Sequence, residues 1–138
     1  MTGDRAEYPL AEAWWAATRE RRLLVQQCVV CGARQHYPRV LCTTCGATDL
    51  DWLEASGRGT IYSFTEVVQA PPPHEAPYVI ILVRLVEGPV MLSRLVGENA
   101  SRPRCELPVQ LAWVALEDGR ARPVFEARNG DDGSASRA

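Results

Sequence analysis

The chain has 138 residues, a net charge of −2 and 46% hydrophobic residues, enough for one compact domain plus a small module. No stretch approaches the roughly 20 apolar residues of a membrane-spanning helix, and the mildly acidic balance supplies no field that would draw the chain to nucleic acid. All fifteen basic residues are arginine, which reads as the bias of a GC-rich genome and not as a functional signal.

In chain order, residues 1–8 are expected to be disordered, and Pro9 opens a helical stretch that runs to Arg22. It is built from Ala, Leu, Glu and Arg, all good helix formers, with proline in the first turn where it is tolerated. Glu12 falls early and Arg19, Arg21 and Arg22 fall late, as the helix dipole favours. Leu10, Trp14 and Ala17 form one stripe, which Trp15 widens. Two roles are open for the tryptophans. They pack on the chain's own core, or they dock a partner, since Trp is enriched among the residues that carry binding energy. Residues 1–24 are thus read as a tail and a docking helix.

A short strand at residues 23–27 leads into Cys28-Val-Val-Cys31, and Cys42-Thr-Thr-Cys45 follows after ten intervening residues. Gly32 and Gly46 each follow a second cysteine, where a turn needs a positive φ. Two such knuckles each offer a pair of thiolates and together close a tetrahedral zinc site, one ion per chain. Two disulfides would suit a secreted chain, but no signal peptide precedes Tyr8. A redox motif needs one CxxC at a helix start, not two knuckles. Four thiolates leave no open position for water, so the metal is structural and carries no Lewis-acid role. Residues 33–41 are long enough for a hairpin between the knuckles, and His36 is expected to be a side chain of it, not a ligand. Residues 49–54 leave the second knuckle as a strand, and the ribbon is taken to span residues 25–54.

Beyond Gly57 and Gly59 the texture is β. Strands are expected at 60–68, 79–86, 90–96, 109–116 and 123–127. A stiff loop of Pro71-Pro-Pro73 with His74, Glu75 and Pro77, a turn at Glu87-Gly-Pro89 and one at Glu117-Asp-Gly119 separate them. Cys105, in the connection at 102–108, reads as a bystander thiol. Five strands over residues 55–128 fit a small closed barrel, for which the OB-fold is the leading candidate. Residues 129–138 are rich in Gly, Ser and Asp and are expected to be disordered. The fold class is therefore mainly β: an N-terminal helix, a rubredoxin-like zinc ribbon and a five-stranded OB-fold barrel.

These parts occur in a recognisable order. Trp14-Trp15, Leu23-Leu-Val-Gln-Gln-Cys28, Cys31-Gly32, Pro38-Arg39, Cys42, Cys45-Gly46 and Gly57-Arg-Gly-Thr-Ile-Tyr-Ser-Phe-Thr65 resemble the zinc-ribbon and OB-fold proteins of the domain-of-unknown-function-35 (DUF35) family, as do Ala76-Pro-Tyr78 and Val124-Phe125. The resemblance covers residues 10–127. One segment departs from it: the family often has a glycine before the Pro-Val of its penultimate strand, and here Cys105-Glu-Leu-Pro108 stands there. What the resemblance implies is an accessory subunit of a thiolase-like enzyme, an acyl-CoA hydratase or an aldolase, stabilising the catalytic chain or framing its acyl-CoA site in the cytoplasm.

The residues themselves weigh against a self-sufficient catalyst. Only His36 and His74 are present, and no nucleophile elbow, phosphate-binding glycine loop or HExxH motif occurs. Ser63 and Ser93 alternate with apolar residues as ordinary strand positions. The alternative is single-stranded nucleic-acid binding, with Tyr62, Phe64, Tyr78 and Trp113 as stacking candidates and Arg58, Arg84 and Arg94 nearby. By period two, Tyr62 and Phe64 share a strand face, and one such face is normally core. Arg34, Arg39, Arg84 and Arg94 are candidates, by charge type alone, for the phosphates of a coenzyme A ester.

Overall fold

The computed structural model describes residues 9–73, 76–97, 100 and 102–128, so the expectations for both termini and for His74 lie outside the described residues. Helix α1 (Pro9–Thr18) is followed by β1 (Leu24–Cys28), β2 (Arg34–Gln35) and β3 (Leu50–Glu54), which form a three-stranded sheet in the order β2-β1-β3. Strands β4 (Arg58–Val67), β5 (Tyr78–Leu85), β6 (Val90–Val96), β7 (Pro108–Ala115) and β8 (Ala121–Ala127) close a barrel in the order β4-β5-β6-β8-β7. This is a five-stranded OB-fold beside a four-cysteine ribbon. No helix among the described residues is long and apolar enough to cross a membrane.

The helix ends earlier than its composition suggests. Arg21 takes φ 59, its N–H reaches the Thr18 carbonyl (2.9 Å), and the Arg22 N–H reaches that of Ala17 (3.1 Å). That pattern is a Schellman stop, with an arginine where glycine is usual. The Thr18 hydroxyl, fully buried, donates to the Trp15 carbonyl at 2.6 Å and accepts the Ala121 N–H at 3.1 Å, which ties the helix end to the start of β8. Arg19, Arg21 and Arg22 therefore lie beyond the last helical residue, but the Arg21 guanidinium still caps the helix end by donating to the Thr18 carbonyl at 2.9 Å.

No hairpin forms between the knuckles. β2 pairs back onto β1 (Gln26↔Gln35, Gln27↔Arg34), and Pro38 removes a donor from the segment that follows. Side-chain amides close the loop instead. The buried Gln26 donates to the Arg39 carbonyl at 3.0 Å and accepts the Arg39 N–H at 2.9 Å, while Gln35 accepts the Thr43 N–H at 3.0 Å.

Helix, ribbon and barrel share one core. Trp14, Leu23 and Val25 belong to the same buried cluster as Ile61, Ile81, Val83, Val109 and Phe125. Val25, Ile61 and Phe125 are each 0% exposed, so the base of the ribbon is part of the barrel's core. Gly59 permits a close approach of β4 to β5, since a Cβ there would lie 2.6 Å from the Arg84 carbonyl oxygen.

Candidate functional site

The candidate metal centre is built by two turns with the same hydrogen-bond pattern. In the first, Cys28 N–H bonds Ala33 O (2.8 Å) and Gly32 N–H bonds Cys28 O (2.9 Å); in the second, Cys42 N–H bonds Ala47 O (2.8 Å) and Gly46 N–H bonds Cys42 O (2.9 Å). Gly32 and Gly46 take φ 80 and 82, the conformation the sequence pattern required. The four sulfurs lie within 4.8 Å of one another, and Cys28–Cys45 and Cys31–Cys42 are each 3.7 Å apart. Tetrahedral bonds of about 2.3 Å to zinc need sulfur–sulfur edges of about 3.8 Å. A disulfide needs about 2.0 Å. The donor set therefore fits a metal ion held by four thiolates. Backbone N–H groups of Cys45 and Thr44 point at the Cys42 sulfur and pull its thiol down to about 6, and those of Cys31 and Val30 lower that of Cys28. At Cys31 a backbone bond at Ala33 is outweighed by desolvation and the neighbouring sulfurs, which push the thiol up to about 12, so four thiolates together call for a cation.

His36 is not part of that cluster. It is 7% exposed, edge-on to Trp14 (5.9 Å between centroids) and beside Tyr37 (4.4 Å). Burial pulls its imidazole down to about 4, so the ring is neutral at pH 7, and its Nδ1 has no hydrogen-bond partner. It is a packing residue between ribbon and helix rather than a hairpin side chain.

Trp14 corrects the picture of a free docking helix. It is 8% exposed, its indole N–H donates to the Leu24 carbonyl at 3.0 Å, and it meets Trp15 edge-on at 4.9 Å. A side chain so enclosed in its own chain is a core anchor. Trp15 is half-buried, with the Arg120 guanidinium 4.8 Å above its ring. The exposed apolar side chains of this region lie instead on the ribbon, at Val29, Val30, Tyr37, Val40 and Leu41.

The four arginines do not form one anion site. Arg34 donates to the Glu87 carbonyl at 3.1 Å across the ribbon–barrel junction, and Arg39 engages Gln26 through its backbone. Arg84 covers the Tyr62 ring at 4.5 Å, and Arg94 covers Tyr78 at 4.6 Å. Those two stand at opposite ends of the β5–β6 pairing, opposite Val90 and Ile80 respectively. The same contacts weaken the nucleic-acid reading, because two of its stacking rings are already capped by arginine and Trp113 packs against the core. A bulge between Ile61 and Ser63 also separates Tyr62 from Phe64, which falls opposite the buried Ile81. The shared face expected from period two is therefore absent. Cys105 lies exposed in a turn, its sulfur 3.6 Å from the Tyr62 carbonyl.

Sequence reasoning missed a groove of about 380 Å³ where α1 and the ribbon overhang the barrel. β6 and β8 pair in parallel only at Leu95↔Phe125 and Val96↔Glu126, and the groove lies over their diverging ends. Trp15, Tyr37, Tyr78, Leu92, Arg94 and Arg122 are among its lining. The alternation of β6 and β8 held the only hint, and it does not say which outward faces converge.

Residues 15–51 match the ChsH2 rubredoxin-like zinc ribbon domain, and residues 52–114 match the ChsH2 C-terminal OB-fold domain. A DUF35 domain-containing scaffold protein of Pyrococcus furiosus is 32% identical over 127 residues, covering 83% of this chain and 93% of that one. The chain belongs to the DUF35 family. Another relative, a probable enoyl-CoA hydratase alpha subunit of Thermomonospora curvata, is 38% identical over 115 residues, 81% of this chain and 35% of that protein. The DUF35 chain thus spans about a third of the length of the hydratase subunit it matches. A solved structure described as the Ltp2-ChsH2(DUF35) aldolase superimposes with a TM-score of 0.76 at 36% identity, covering 84% of this chain and 92% of that chain.

Proposed function

We propose that this DUF35 chain is a non-catalytic accessory subunit that binds an acyl-CoA enzyme of the hydratase, aldolase or thiolase-like kind and stabilises or frames its acyl-CoA site. The observation that carries this reading is the likeness, in both fold and sequence, to the DUF35 chain of an aldolase assembly. The hydratase alpha subunit supports it from a second enzyme class. The residues are consistent with it, since the four cysteines suit one structural zinc with no open coordination position, and the described serines and His36 stand in no catalytic constellation. Reduced, metal-holding cysteines suit the cytoplasm.

In this reading residues 25–54 form the zinc ribbon and residues 55–128 the barrel, with α1 as a strut that fixes their mutual orientation. The exposed apolar side chains of the ribbon, Val29, Val30, Val40 and Leu41, are the contact surface offered to the partner, because a metal-stapled turn presents them without loss of order. The test is turnover of acyl-CoA substrates by the chain alone, by its co-expressed neighbour alone and by the two together. The account expects turnover to require the neighbour and to rise when this chain is added. Turnover by this chain alone overturns it.

A further inference from the structure

The groove over the β6–β8 seam has a chemical character of its own. Its inner wall is aromatic and aliphatic: half-buried Trp15 and Tyr78, Tyr37 at 49% exposure and Leu92 at 55% exposure. At about 380 Å³ it falls within the roughly 300–1,000 Å³ of small-molecule sites. Arg94 and Arg122 contribute to it, and no aspartate or glutamate does. Among the described residues no carboxylate lies within salt-bridge distance of either guanidinium, whereas neighbouring Arg120 is paired with Asp118 at 2.8 Å. Among the described residues, Arg94 and Arg122 thus bring two guanidiniums without a salt-bridge partner to one apolar groove, and Arg94 also borders the adjoining pocket that Glu66 lines. The Arg94 guanidinium carbon sits 4.6 Å from the centroid of the Tyr78 ring, a cation–π contact at the edge of the groove.

We propose that this groove is a binding site for an amphipathic organic anion, whose apolar body lies against Trp15, Tyr37 and Leu92 and whose acidic group is held by Arg94 and Arg122. Each contact has a physical basis. Aromatic side chains supply large apolar contact area at small entropic cost, and the guanidinium fork matches the geometry of a carboxylate or sulfonate. An uncharged molecule of the same shape keeps the first contribution and loses the second. The site is a property of this chain alone and does not depend on the partner enzyme, so its failure and that of the accessory-subunit reading are separable.

The test uses the purified, metal-loaded full chain and two probes of equal body, 8-anilinonaphthalene-1-sulfonate and its uncharged counterpart N-phenyl-1-naphthylamine. The expected result is one sulfonate probe per chain, with affinity at least tenfold above that of the uncharged probe. The double variant Arg94→Met with Arg122→Met should lose about tenfold or more for the sulfonate and leave the uncharged probe unchanged, while Arg84→Met, outside the groove, alters neither. Equal affinity for the two probes overturns the proposal, as does sulfonate binding that survives the double variant. Should that variant fail to fold, nuclear magnetic resonance of the wild-type chain decides instead. On adding the sulfonate, the Trp15 indole resonance must shift and that of Trp52, which is not part of the groove, must stay; the reverse pattern refutes the site.

Discussion

Replacing Trp14 by alanine tests whether the helix is a strut or a free arm. Trp14 is 8% exposed and belongs to the common core of helix, ribbon and barrel. Truncating a buried tryptophan to alanine costs about 3–5 kcal/mol through lost transfer energy and the cavity left behind. Here the Leu24 carbonyl, which accepts the indole N–H at 3.0 Å, also loses its partner. The full loss is a large part of the roughly 5–15 kcal/mol that holds a domain together. Trp14→Phe keeps one six-membered ring and loses the donor with the rest of the indole, so its cost should fall between zero and that of Trp14→Ala, at about 1–3 kcal/mol. Trp15→Ala, at a half-buried site under Arg120, should cost less than Trp14→Ala. The assay is urea unfolding of the zinc-loaded chain followed by circular dichroism. A loss below about 1 kcal/mol for Trp14→Ala would mean that the tryptophan is not a core anchor, and the strut reasoning would be wrong.

Three further outcomes follow from the same contacts. Metal analysis should give one zinc per chain, and because Leu24 and Val25 belong to the barrel's core, a strong chelator or Cys42→Ser should destabilise ribbon and barrel in one cooperative transition; barrel signals that persist unchanged contradict the shared core. Burial depresses the His36 imidazole from 6.5 to about 4, so its contribution is complete above pH 6.5 and is lost as the pH falls towards 4. Between pH 7 and pH 5 that amounts to about 2 kcal/mol, and urea unfolding of His36→Phe should show a correspondingly flatter pH dependence than the wild type; equal slopes refute it. Gly59→Ala would place a Cβ 2.6 Å from the Arg84 carbonyl oxygen and 2.7 Å from Val83 Cγ1, so it should destabilise by about 1–3 kcal/mol in thermal or urea unfolding, and an unchanged midpoint argues against the close approach.

The cysteine spacing carried the ribbon because a knuckle is a local structure: CxxCG fixes its own turn and its own ligand pair. The barrel strands were legible for a similar reason, since β-branched runs and Gly/Pro turns are read within a few residues. Features set by tertiary contact were not. The helix stops in a turn where Arg21 takes φ 59, and the Thr18 hydroxyl ties that end to the N–H of Ala121, 103 residues away; no helix propensity encodes either contact. The bulge that parts Tyr62 from Phe64 is likewise invisible to a period of two. It lies beside a turn in which Glu106 takes φ 68 and its N–H bonds the Ile61 carbonyl at 2.8 Å. Glu106 thus adopts the left-handed conformation that glycine favours. The groove required the convergence of five segments, α1, the stretch after β2, β5, β6 and β8, and single-sequence periodicity describes each face without saying what it meets.

The most direct test of the central claim is the native mass of the affinity-purified chain after co-expression with its neighbouring reading frames. The account predicts a defined complex in which this chain, carrying one zinc ion, is joined to a hydratase, aldolase or thiolase-like subunit. A chain of 15.3 kDa that emerges alone, with those subunits expressed and soluble but unbound, would contradict it.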